Sequence, residues 1–145
     1  MGGIYIDCGT FSGDFKSGSA ILGVLEGMQP MADPTVRVIL TQLGERVRTM
    51  LQTKAPTETE IHPDDASALL PDLRRYRAQL EQRLGPIRDP HTAIHNDRVA
   101  REAYWMETKR KYGAGLGWQY FCVLDLERAF DISVAGQKAV VLSWD

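Results

Sequence analysis

Apolar side chains are densest over residues 116–145. Trp118, Tyr120, Phe121, Cys122, Val123, Leu124, Leu126 and Phe130 are followed by Val140, Val141, Leu142 and Trp144. Steps of three and four residues align Trp118, Phe121, Cys122, Leu126, Ala129 and Phe130 on one helical face, and Gly136 supplies a stop. Strict alternation over 118–124 would make a strand instead. The pattern outlasts an average strand, so a helix is expected there. Residues 139–144 read as a strand, and Ile4 to Asp7 at the other end of the chain is its natural partner.

The rest of the chain divides into helices separated by proline and glycine. Residues 9–18 are loop-like, with only Phe11 and Phe15 as anchors. Ser17 or Ser19 can cap a helix through Ala20, Ile21, Leu22, Val24, Leu25 and Met28, although Gly23 and Gly27 each weaken it by about 1 kcal/mol. Asp33-Pro34 is a helix start, a capping oxygen followed by proline at the first helical position. Val36, Ile39, Leu40, Leu43, Val47, Met50 and Leu51 then form one apolar face as far as Thr53. Residues 54–62 read as a polar connection. Pro63, Asp64 and Asp65 open the next helix, with the acids where the helix dipole favours them. Pro71 predicts a break there, with a second segment to Leu84 striped by Leu73, Tyr76, Leu80 and Leu84 and stopped by Gly85-Pro86. Asp89-Pro90 repeats the start signal for a helix to Tyr112, with Ile94, Val99, Ala103 and Met106 facing inward. Residues 113–117, Gly-Ala-Gly-Leu-Gly, read as a hinge.

The expected fold is therefore α+β and predominantly helical, with four to five helices and a small sheet pairing the N- and C-terminal strands. A chain of 145 residues with 43% hydrophobic and 25% charged side chains suits a single domain, 1–145, with a real core. No apolar run is long enough to span a membrane, and the N-terminus lacks the pattern of a signal peptide. Two cysteines, Cys8 and Cys122, stand outside any CxxC spacing, which suits buried thiols in a cytoplasmic protein.

Ile4-Tyr-Ile-Asp-Cys-Gly-Thr-Phe-Ser-Gly13 resembles the first phosphate-binding loop of sugar kinases and actin-like ATPases, in which a strand ends in Asp-x-Gly-Thr. The resemblance covers this stretch alone. That family builds two large α/β lobes, whereas the next residues here read as helix. Gly9 and Gly13 are accordingly taken as turn residues and Asp7 as a strand end. The glycines of 113–117 resemble a dinucleotide loop but follow a helix instead of a strand. His91 and His95, four residues apart, have a spacing that can bind zinc, but neither an HExxH glutamate nor a thiolate accompanies them, so no metal and no cofactor is expected. Cys122 lies in the most apolar run and reads as a buried thiol.

Charge changes the picture more. The net charge is −2. Residues 1–71 carry 5 basic and 9 acidic side chains, residues 72–112 carry 10 and 6, and residues 113–145 carry 2 and 4. The basic middle holds Arg74, Arg75 and Arg77, then Arg98, Arg101, Lys109, Arg110 and Lys111 interleaved with Tyr104, Trp105 and Tyr112. Arginine with Trp and Tyr is the composition of a protein-binding hot spot. The expectation is a non-catalytic protein-binding module, most concretely a small inhibitor or immunity-type protein covering a larger partner. Its contact face would comprise Arg98, Arg101, Tyr104, Trp105, Lys109 and Tyr112, with Trp105 an exposed anchor. One alternative is a small enzyme assembled from Asp7, His91, His95 and Glu102. The other is single-stranded nucleic-acid binding through the basic aromatic helix 98–112, which the low net charge disfavours.

Overall fold

The computed structural model describes residues 3–14, 16–53, 56–84, 97–112 and 116–144. Strand β1 (Ile4–Cys8) turns through residues 9 and 10 into the short β2 (Phe11–Ser12). Helix α1 (Gly18–Met28) follows, then a 3-10 turn (Gln29–Met31), helix α2 (Pro34–Gln52) and strand β3 (Thr57–Ile61). Helices α3 (Pro63–Leu84), α4 (Arg98–Tyr112) and α5 (Leu116–Gly136) lead to the last strand, β4 (Val140–Trp144). The fold is α+β and predominantly helical, as the periodicities predict.

The sheet has the order β2-β1-β4-β3, and all three pairings are antiparallel. The two chain ends meet as expected, in the register Ile4–Trp144, Tyr5–Ser143, Ile6–Leu142 and Asp7–Val141. Ile4, Ile6, Cys8, Val140 and Leu142 turn one side of these strands into the core.

Cap chemistry sets the helix starts. The Ser17 hydroxyl accepts from the Ala20 amide at 3.4 Å, and the Asp33 carboxylate accepts from Val36 at 2.9 Å. For α4 the cap is Asp97, accepting from Ala100 at 3.0 Å. The signals at Gly85-Pro86 and Asp89-Pro90 lie outside the described residues. Helix α5 begins at Leu116, so Leu116 and Gly117 belong to its first turn and not to a hinge; residues 113–115 lie outside the described residues. It ends at Gly136, and Gln137 takes the left-handed conformation at φ 53°. Tyr120, Phe121, Cys122, Val123, Leu124 and Leu126 are buried consecutively or nearly so, because α5 packs against α1, α3, α4 and β1 at once.

Three further expectations are corrected. Residues 57–61 form a strand where a polar connection is expected. Helix α3 runs unbroken through Pro71. The hydrogen bond that Pro71 cannot donate falls on the carbonyl of Ser67, which is an exposed residue. Burial of Leu69, Leu70, Leu73, Tyr76 and Leu80 on both sides of the proline holds the helix together. Finally, α4 is rotated. Val99 is 77% exposed and Met106 51% exposed, and Ala103 is exposed with them, while Arg101, Tyr104, Trp105 and Thr108 face inward.

The glycines that weaken α1 have a packing reason. A Cβ at Gly23 would come within 2.7 Å of Gln119 Nε2, and one at Gly27 would overlap the Tyr76 ring. Their absence lets α3 and α5 approach closely enough for the Tyr76 hydroxyl to donate to Gln119 Oε1.

Candidate functional site

Two features outside the expected contact face stand out: a buried charge network beneath α4, and the β3 edge of the sheet. The network starts from the chain that returns along β1. Backbone hydrogen bonds from Ile4 to the Lys16 carbonyl (2.9 Å), from Lys16 to the Ile4 carbonyl (2.8 Å) and from Gly13 to the Ile6 carbonyl (2.9 Å) hold Gly13 and Lys16 beside the strand. Lys16 is thereby driven inward and is fully buried. Its Nζ lies 2.5 Å from Asp125 Oδ2, donates to the Asp14 carbonyl at 2.9 Å and sits 3.4 Å from the centroid of the Trp105 ring. The three ammonium hydrogens thus have a carboxylate, a carbonyl and an aromatic face.

Arg101 completes the group from α4. Its Nε and Nη2 donate to the two carboxylate oxygens of Asp14 at 2.7 and 3.1 Å. This fork, opposed by burial and aided by the nearby charge of Asp125, raises the Arg101 pKa above its usual value. Gly13 leaves room for the network: a Cβ there would come within 2.7 Å of Asp125 Oδ2 and 3.0 Å of the Ile6 carbonyl. Lys16, Asp14, Asp125 and Arg101 carry balanced charges, and each faces an opposite one. The arrangement clamps the returning chain, α4 and α5 together.

Trp105 belongs to this clamp. It is 3% exposed, stacks on Phe121 at 4.8 Å and 12°, and meets Trp118 edge-on at 5.7 Å. The expectation of an exposed Trp105 anchor is therefore corrected. Arg101 and Trp105 do share a face, but it is the buried one, because large aromatic area gains more by leaving water than Val99 or Met106 would. Tyr104 is half-buried and edge-on to Phe121 at 5.9 Å. Arg98, Lys109 and Tyr112 lie on α4, and their side chains are outside the described set.

The residues of the dispersed-enzyme alternative fall in different settings. Asp7 accepts a hydrogen bond from the Ser12 hydroxyl across the β1–β2 hairpin. Glu102 is on the exposed face of α4. His91 and His95 lie outside the described residues. Among the described residues no group of three His, Cys, Asp or Glu side chains could hold a metal ion.

The arginines of α3 also turn to internal partners. Arg74 binds Asp131 at 2.7 Å, Arg75 binds Asp72 at 2.9 Å, and Arg77 binds both Glu81 and Glu127 at 2.9 Å. Tyr120 donates to Glu81 at 2.6 Å. That bond, against a smaller opposing effect of burial and with Arg77 helping, lowers the Glu81 pKa, while burial and Glu81 push Tyr120 up to about 12. Arg74 and Arg77 thus fasten α3 to α5, while Arg75 pairs within α3.

No protein-family model, curated protein or solved structure matches this chain.

The second feature is the sheet edge. β3 is last in the strand order, so among the described residues only β4 pairs with it. Beside it opens a groove of about 630 Å³ whose lining includes Glu45, Arg46, Thr49 and Met50 of α2, Glu58 of β3, and Asp65 of α3. Its lining joins α2 to β3 and includes no residue of β4. Three of these six side chains are acidic and one is basic.

Cys122 is fully buried, and loss of solvation pushes its thiol up to about 12, with Lys16 only partly opposing. Cys8 is buried as well and its pKa is raised for the same reason. Both cysteines are free. Native protein should therefore react with a thiol reagent at least about tenfold more slowly than unfolded protein, in line with a thiolate population that falls tenfold per pKa unit. Rapid labelling of Cys122 in the folded state, located by peptide mass, would contradict this.

Proposed function

We propose that the chain is a non-catalytic protein-binding module, a small cytoplasmic inhibitor or immunity-type protein that covers a larger partner. The observation that supports this reading is the edge of β3, which among the described residues no second strand pairs, together with the groove between β3 and α2. A sheet edge offers a row of backbone donors and acceptors to another chain, and a groove alongside it supplies side-chain selectivity. The internal pairing of Lys16, Arg74, Arg77 and Arg101 fits the same reading, since these charges hold the scaffold that presents the edge.

The test is amide hydrogen exchange on the chain before and after it captures its partner from the native host. The amides of Thr57 to Ile61 and those of the facing half of α2 should slow in the complex. Failure to capture a protein, or protection that leaves β3 unchanged, would overturn the proposal.

A further inference from the structure

Resting on the protein-binding reading above, we infer that the edge of β3 that no described strand pairs accepts an extended segment of a partner in which basic residues occur at every second position. Five residues in a strand span about 17 Å, enough to pair with a segment of equal length. Side chains alternate along β3. Glu58 and Glu60 are exposed on one face, while Thr57 and Thr59 are half-buried on the other. A strand added beside them places every second side chain next to the two glutamates. Lys or Arg there meets opposite charge, and β-branched residues between them meet the threonines.

The groove adds to the same field. Glu45 and Asp65 stand with Glu58 in its lining, against Arg46 alone. Asp64, at the start of α3, is exposed close by in sequence. Polyanions are repelled by this surface. A second copy of the chain fits poorly as well. Pairing β3 with another β3 would crowd Glu58 and Glu60 against the same residues of the partner, and like charges in cross-strand positions are destabilising. The glutamates thus guard the edge against self-association while admitting a basic strand.

Three synthetic octapeptides test this with the intact chain: alternating Lys and Val, alternating Glu and Val, and alternating Lys and Pro. The third has the charge of the first but no amide donors at its Pro positions. Binding is read by fluorescence anisotropy and by hydrogen exchange at residues 57–61. The Lys-Val peptide alone should bind and slow exchange at β3. Glu58→Lys with Glu45→Lys should weaken it by at least about tenfold, and Glu58→Gln by less, with unchanged circular dichroism and thermal midpoint. Equal binding of the Lys-Pro peptide would reduce the effect to bulk charge and overturn the strand-addition inference. Binding of the Glu-Val peptide, or concentration-dependent dimers protected at β3, would overturn the choice of occupant. If a captured partner protects β3 but is indifferent to Glu58→Lys and to salt, this inference fails while the protein-binding reading stands.

Discussion

Replacing Lys16 with methionine is expected to cost about 3–5 kcal/mol of stability, measured by denaturant unfolding, because it leaves a buried carboxylate without its cation. Asp125 is 2% exposed and has the Lys16 ammonium 2.5 Å away. Methionine fills much of the volume of lysine but carries neither charge nor donor. The Asp14 carbonyl and the Trp105 face lose their contacts with the ammonium as well. The informative comparison is the double variant Lys16→Met with Asp125→Leu. Removing both charges removes the desolvation cost of both, so the double variant should recover most of the loss. Strict additivity of the two single effects would show that the pair is not energetically coupled.

Trp105→Ala is expected to cost a similar amount, about 3–5 kcal/mol, which for a chain of this size lowers the thermal midpoint by roughly 10 °C. The ring is stacked on Phe121, edge-on to Trp118 and beneath the Lys16 ammonium, so its removal opens a cavity beside a charge. Trp105→Phe keeps the stacking. It also removes an indole N–H that has no hydrogen-bond acceptor among the described residues, and it should cost distinctly less. An unchanged midpoint for Trp105→Ala would return this residue to the surface.

These two expectations rest on residues whose importance was unevenly legible. Asp125 could be noticed in the sequence. It falls on the same helical face as Phe121, Cys122 and Ala129, and a carboxylate on an apolar face requires a partner. Its partner could not be found that way. Lys16 follows a loop-like stretch, Gly9-Thr-Phe-Ser-Gly-Asp14, with no helical period, and only the pairing of Lys16 with Ile4 turns it inward. On α4 the spacing correctly puts Arg101 and Trp105 on one side. Which side faces the core depended on what α5 offers, and Phe121 and Trp118 offer an aromatic surface.

β3 was hidden for a different reason. Thr-Glu-Thr-Glu alternates between two polar residue types, so it carries almost no apolar contrast for a period to appear in. What makes it a strand is the unpaired edge of β4, which gains backbone hydrogen bonds from any extended neighbour. Pro71 shows the opposite balance, a strong local signal overruled by the leucines and tyrosine buried on either side of it.

Taken alone, the sequence determined the features that depend on neighbours a few residues apart: the cap at Asp33, a serine cap at 17 or 19, the apolar face of α2, the helical period of α5, and the strands at the two chain ends. Local sterics, hydrogen bonding and periodic burial suffice for these. The tertiary structure decided the inward face of α4, the pairing of Lys16 with Asp125, and the place of β3 at the end of the strand order. Each of these depends on a surface contributed by a distant segment, and a group's preference for burial or pairing acquires its direction only when that surface is in place.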